Sequence, residues 1–109
     1  MKLSIIYMLN TFEYQDSLIN LLSIQQKNSI NLIVIDKLGD DKVKEYLNDS
    51  ITLIDGQNKN FWECINLAFK FINTEYTYIT ENNILFLNKN VENIIKELND
   101  KDIYIFSKN

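Results

Sequence analysis

The sequence has no histidine and no arginine; all 11 of its basic residues are lysine. Without imidazole, the side chain that titrates near neutral pH is missing, and histidine acid–base catalysis and histidine metal ligation are excluded with it. Without guanidinium there is no planar fork to grip phosphate through two parallel hydrogen bonds. Proline is absent and glycine occurs only at Gly39 and Gly56, fewer than any glycine-rich phosphate loop requires. The single cysteine, Cys64, has no internal disulfide partner, which points to a reducing compartment and a cytoplasmic location. No apolar run approaches the ~20 residues that cross a bilayer. The N-terminal "MKLSIIYMLN" lacks a small-residue cleavage site and reads as a first strand. A net charge of -4 argues against a nucleic-acid groove, which needs a clustered basic face.

What is present fits a folded α/β chain. At 109 residues, with 46 % hydrophobic and 12 % aromatic content, residues 1–109 predict one domain able to bury a core without staples. Apolar runs alternate with helical patterns. "LSIIYML" (3–9) and "NLIVID" (31–36) are continuous apolar runs of the kind that form strands covered on both faces. Between them, "YQDSLINLLSIQQ" places Leu18, Leu21, Leu22 and Ile24 on one helical face. "DDKVKEYL" predicts a short helix, and "SITLIDG" (50–56) a third strand closed by an Asp-Gly turn. "NFWECINLAFKFI" carries Phe61, Ile65, Ala68, Phe69 and Ile72 at helical spacing. "EYTYIT" is a fourth strand, "NVENIIKEL" a helix with Val91, Ile94, Ile95 and Leu98 in phase, and "DIYIF" (102–106) a last strand. Strands separated by helices of this length predict a doubly wound, mostly parallel sheet.

In such sheets ligands bind beyond the carboxyl ends of the strands, where the strand order reverses. The residues at those ends are Asn10 and Thr11, Asp36, Asp55, and Glu81 to Asn83. Each is polar and each follows an apolar strand. The plain alternative is that Asp and Asn end strands because they favour turns.

Taken in order, these segments resemble the nucleotide-binding half of family-2 glycosyltransferases, which have the GT-A fold. "LSIIYMLN" is similar to that family's first strand, and "LINLLSIQQ" to its first helix, with Leu18, Leu22, Ser23 and Gln26 at the expected intervals. "NLIVIDKLGDD" resembles the second strand with its terminal acid and loop. "NKNFWECINLAFKFINTEYTYITENN" resembles the Asn-bearing helix, the Glu-Tyr strand (Glu75-Tyr76) and the aspartate motif. The resemblance implies that Asp36 accepts a hydrogen bond from the base, that Asn10 or Thr11 lines the nucleoside pocket, and that Asp40, Asp41 and Asn66 contribute to it. Glu81 and Asn83 stand where the family has the two outer residues of a D-x-D motif, two hard oxygen ligands that hold Mg²⁺ or Mn²⁺ against a diphosphate. With one carboxylate and one amide, "ENN" would hold such a cation weakly. The chain departs from the family at Tyr7, where proline is usual, and at Asn60, Ala68 and Thr74, where glycines are usual.

The implied ligand is a nucleoside-diphosphate sugar, with UDP-sugar favoured, and the implied activity is hexosyl transfer. No catalytic residue is assigned. The chain ends where the family's second half, with its acceptor site and catalytic base, would begin, so the isolated chain is expected to be inactive. The truncated side of the sheet is then expected to be covered by a second copy or a protein partner. Two other functions compete. One is an inactive glycosyltransferase-like module that docks a protein. The other, from a different class, is a receiver-like phospho-acceptor domain, in which Asp55, Thr80 and Lys108 would form the site. Cys64, on the apolar face of its helix and with no histidine to activate it, predicts a small buried hydrophobe. Trp62, Tyr76 and Tyr78 could stack a base or sugar; because helices are expected on both faces, the two tyrosines predict core packing.

Overall fold

The computed structural model describes residues 3–81 and 104–105. The apolar runs become β1 (Leu3–Leu9), β2 (Asn31–Asp36), β3 (Thr52–Asp55) and β4 (Tyr76–Glu81), followed by a short β5 (Tyr104–Ile105). The helices are α1 (Gln15–Asn28), α2 (Val43–Tyr46) and α3 (Phe61–Phe69). β2 begins and ends where its apolar run does. The helix expected from Val91 to Leu98 lies outside the described residues, as do the flanks of the strand expected over 102–106. No helix among the described residues is long and apolar enough to cross a membrane.

The strand order is β3-β2-β1-β4-β5, and every pair is parallel. This is the α/β, doubly wound arrangement the sequence predicts. β1 is the central strand of the described sheet, and all seven of its residues are buried. Alternation along the strands sorts the core into two layers. Leu3, Ile5, Tyr7 and Leu9 meet Leu32, Val34, Tyr76 and Tyr78 on one face, under Leu18, Leu21 and Ile24 of α1 and Val43 of α2. Ile6, Met8, Ile33, Ile35, Ile54 and Ile79 meet Cys64, Ile65 and Ala68 of α3 on the other. Tyr76, Tyr78 and Cys64 are therefore core residues. Receiver domains require the order 2-1-3-4-5. Here β2 separates β3 from β1, so Asp55 ends the strand at one edge of the sheet while β5 lies at the other; Lys108 lies outside the described residues.

The C-terminal ends of α1 and α3 differ from the sequence pattern for local reasons, whereas α3 starts where the pattern does. α1 runs to Asn28 because Ser29 takes up the left-handed conformation (φ 53) and returns its N–H to the Gln25 carbonyl. α3 starts sharply: the Asn60 side chain accepts from the Glu63 N–H (2.9 Å) and Glu63 Oε1 accepts from the Asn60 N–H (3.0 Å), a reciprocal cap. Its end tightens, with the N–H groups of Lys70, Phe71 and Ile72 bonding back three residues.

Polar groups inside the sheet are paired, as burial demands. At the amino end, Asn31 Nδ2 donates to Ser4 Oγ (2.9 Å) and to the Phe71 carbonyl (2.9 Å). Thr74 Oγ1 donates to the Tyr76 carbonyl (2.9 Å), so in its 2.6 Å contact with Ser4 the serine is the donor. The chain of bonds thus runs one way, from Asn31 through Ser4 and Thr74 to Tyr76. Gly56 is needed for closeness: a Cβ there would lie 2.6 Å from Ile35 Cγ2 and 3.2 Å from Cys64 Sγ. Gly56→Ala is expected to destabilise the fold by about 1–3 kcal/mol through overpacking. Urea unfolding would measure it, and a midpoint unchanged from the wild type would show that Ile35 gives way freely.

Candidate functional site

The parallel order brings four strand ends to one edge. In register, Leu9 of β1 pairs with Asp36 and Met8 with Glu81, so the loop starting at Asn10 leaves between the ends of β2 and β4. The order reverses at β1, because β2 and β3 extend to one side and β4 and β5 to the other. Asn10 is exposed and Thr11 half-buried. Glu81 is the last residue of β4; Asn83 lies outside the described residues. Backbone pairing continues past the strands on the other side, with Lys37 N–H to the Leu9 carbonyl (3.0 Å) and Gly56 N–H to the Asp36 carbonyl (2.8 Å).

Next to this point, over the ends of β2 and β3, is a cleft of about 340 Å³ lined by Asp36, Gly39, Asp40, Asp41, Lys44, Leu53, Ile54, Asp55 and Gln57. Each acid is held in its own way. Asp36 is largely buried, and its Oδ1 accepts from the N–H groups of Leu38 (2.8 Å) and Gly39 (3.1 Å), which folds the loop back over the strand end. Gly39 makes this turn at φ +71, a conformation glycine adopts without strain. Asp40 Oδ2 accepts from the Tyr14 hydroxyl (2.7 Å) and its Oδ1 from the Lys42 N–H (3.0 Å). Asp55 Oδ1 accepts from the Gln57 N–H (3.0 Å) and from Gln57 Nε2 (3.3 Å). Asp41 is exposed on the rim.

The electrostatics follow from these bonds. Tyr14's hydroxyl, then the Lys42 N–H, hold the Asp40 carboxyl below its ordinary value, and the Gln57 backbone and side-chain N–H groups do the same for Asp55. Burial, then the Asp40 carboxylate it donates to, push the Tyr14 hydroxyl up, so it remains a donor. Tyr14 in turn is fully buried, edge-on to Tyr46 with ring centroids 6.2 Å apart. Its carbonyl receives the Ser17 hydroxyl (3.1 Å), to which Tyr7 donates (2.7 Å). The wall of the cleft is therefore wired to the central strand through two tyrosines and a serine.

The cleft is rich in acceptors and poor in positive charge: four aspartates face one lysine. It suits N–H and O–H donors, and it repels a phosphate placed directly against it. Among the described residues no three His, Cys, Asp or Glu side chains converge on a point that could hold a metal ion. Of the residues singled out by the sequence, Asp36, Asp40 and Asp41 line the cleft, and Asn10, Thr11 and Glu81 share its edge. Asn66 does not join them. It is exposed on α3 and lines a separate groove with Lys59, Glu63, Leu67 and Lys70. Trp62, too, stands apart, exposed at the start of α3 with its ring edge-on to Phe61 at 5.0 Å. Lys44 and Gln57 were not singled out by sequence. Gln57's position two residues after Asp55, in an Asp-Gly turn, is the pattern that points to it. Comparison of the chain with protein-family models, with curated proteins and with solved structures returns no match.

Tyr14→Phe removes the strongest support of the lowered Asp40 carboxyl. A carboxyl lowered by folding adds stability above its ordinary value of 3.8 and loses it as pH falls through the lower, folded value. The wild type is therefore expected to lose more stability between about pH 5 and pH 2 than Tyr14→Phe does. Urea midpoints across that range would test this; parallel curves would mean that Tyr14 does not set the Asp40 ionisation.

Proposed function

We propose that this domain binds a nucleoside-diphosphate sugar and is the donor half of a GT-A-like glycosyltransferase. The observation that carries this reading is the register at the reversal point: Asn10 follows a strand whose last residues pair with Asp36 on one side and Glu81 on the other. That is where open α/β sheets bind nucleotides. The acceptor-rich cleft fits the same reading. The base and ribose carry N–H and O–H donors that match Asp36, Asp41 and Asp55. The diphosphate, repelled there, would lie toward the β1–β4 side.

A divalent cation would accompany it, held mainly by the phosphates, with Glu81 and Asn83 as the protein's contribution. Its chemistry would be to neutralise the charge on the leaving diphosphate. No catalytic residue is assigned on this reading, and the acceptor site and base for hexosyl transfer would come from further protein. Asp36 has a double duty here, since its Oδ1 already holds the loop.

The test is calorimetric titration with UDP, with and without Mn²⁺, on the wild type and on Asp36→Asn. This substitution keeps an acceptor for the Leu38 and Gly39 N–H groups while removing the charge. Expected is Mn²⁺-dependent binding that weakens about tenfold or more in Asp36→Asn, as loss of a charged hydrogen bond predicts. Absence of heat at millimolar UDP would sink the proposal.

A further inference from the structure

α3 has two faces, and only one is accounted for by the core. Cys64, Ile65 and Ala68 turn inward. The opposite stripe, at i, i+1, i+4, i+7 and i+8, reads Trp62, Glu63, Asn66, Phe69 and Lys70, and all five are exposed. Large aromatics are uncommon on a solvent face, yet Trp62 is 67 % exposed and Phe69 49 %. Phe61, 37 % exposed, packs its ring edge-on against Trp62 at the start of the stripe. This surface lies outside the nucleotide site proposed above and does not depend on it.

The stripe is complementary to itself. Trp62 and Phe69 are seven residues apart, as are Glu63 and Lys70, and seven residues are two helical turns. At 100° per residue the aromatic pair occupies one side of the stripe and the charged pair the other, with Asn66 between them. A two-fold axis perpendicular to α3 keeps each side matched with itself while reversing the helix direction. With the axis at Asn66, Trp62 meets Phe69 of the second copy, Glu63 meets Lys70, and the two Asn66 amides meet each other at the centre. Each contact occurs twice, and no like charges are opposed.

We propose that the chain pairs with a second copy of itself through an antiparallel α3–α3 contact centred on Asn66. The area is that of a modest dimer. With about 150–250 Å² for each large aromatic side chain, the exposed parts of Trp62 and Phe69 supply roughly 250 Å² per protomer, about a third of the ~800 Å² in a standard interface, and Glu63, Asn66 and Lys70 add to it. The stems of Lys59 and Lys70 and the edge of Leu67 extend it. An interface of this size falls below the ~1,000 Å² total that a stable assembly clears, so the dimer is a weak, transient one.

Charge reversal decides the matter. Sedimentation equilibrium of the wild type, Lys70→Glu, Glu63→Lys and the double reversal gives the association constants, and far-UV circular dichroism confirms that each variant is folded. Each single reversal sets like charges opposite one another twice and is expected to weaken the dimer at least about tenfold. The double reversal is expected to restore it to within about threefold of the wild type. Glu63→Lys also removes the helix cap, so Lys70→Glu and Trp62→Ser carry the argument independently if that variant unfolds. A wild type that is monomeric at about 1 mM chain, where a weak dimer would still form, overturns the proposal, as does a double reversal no tighter than the singles. The first outcome would leave the aromatic face to a different protein.

Discussion

Seven consecutive buried residues in β1 set the terms for everything around them. A strand hydrogen-bonded on both sides and covered on both faces has no solvent-facing position, so each polar atom it carries must find a partner inside. Leaving a buried polar group unpaired costs about 1–3 kcal/mol, a large part of a small domain's stability. Ser4 and Tyr7 are the two positions where this applies, and each starts or joins a hydrogen-bonded chain that fixes another element. Ser4 ties β2 and the stretch before β4 to the amino end. Tyr7 ties the start of α1 to the sheet through Ser17.

The same central position creates the site. Because β2 and β4 depart from β1 in opposite senses, the loop after Leu9 has no strand to follow and opens between two strand ends. The chemistry at that edge differs from the amino edge in a simple way. At the amino edge, donors and acceptors are matched among Asn31, Ser4 and Thr74. At the carboxyl edge, six N–H and O–H donors bond to three of the four aspartates, and the remaining carboxylate lone pairs line a cleft.

Much of this was legible in the sequence because the apolar runs are uninterrupted. "NLIVID" gave β2 to the residue, and the alternation of strand and helix patterns predicted the parallel sheet. Helix ends were read less well where they depend on partners one turn away, as at Ser29's left-handed turn; the start of α3 at Phe61 was legible, with Asn60 and Glu63 at the spacing of a reciprocal cap. The strand-end acids were visible, but their grouping was not. Asp36, Asp40 and Asp41 come together with Asp55 and Gln57 only because β3 lies beside β2, a neighbour relation that periodicity cannot specify. Asn66 shows the reverse. Its helix and phase were predictable, whereas its place on the outer face, away from the cleft, required knowing which stripe of α3 meets the sheet. Asn60 and Thr74, which stand where the glycosyltransferase pattern has glycines, now have physical roles of their own as a helix cap and a hydrogen-bond link.

The one-way chain from Asn31 through Ser4 and Thr74 to the Tyr76 carbonyl bears on how the sequence can drift. Each hydroxyl in it has a single proton to give, so replacing one member leaves its neighbours, buried at Ser4 and half-buried at Asn31 and Thr74, short of a partner. An apolar residue at Ser4 alone leaves both the Asn31 amide and the Thr74 hydroxyl short of a partner. Exchange of the whole set for apolar groups of similar volume costs far less than any first step toward it. Substitutions at positions 4, 31 and 74 are thus expected to be non-additive: three residues that are distant in sequence are coupled by the direction of their protons.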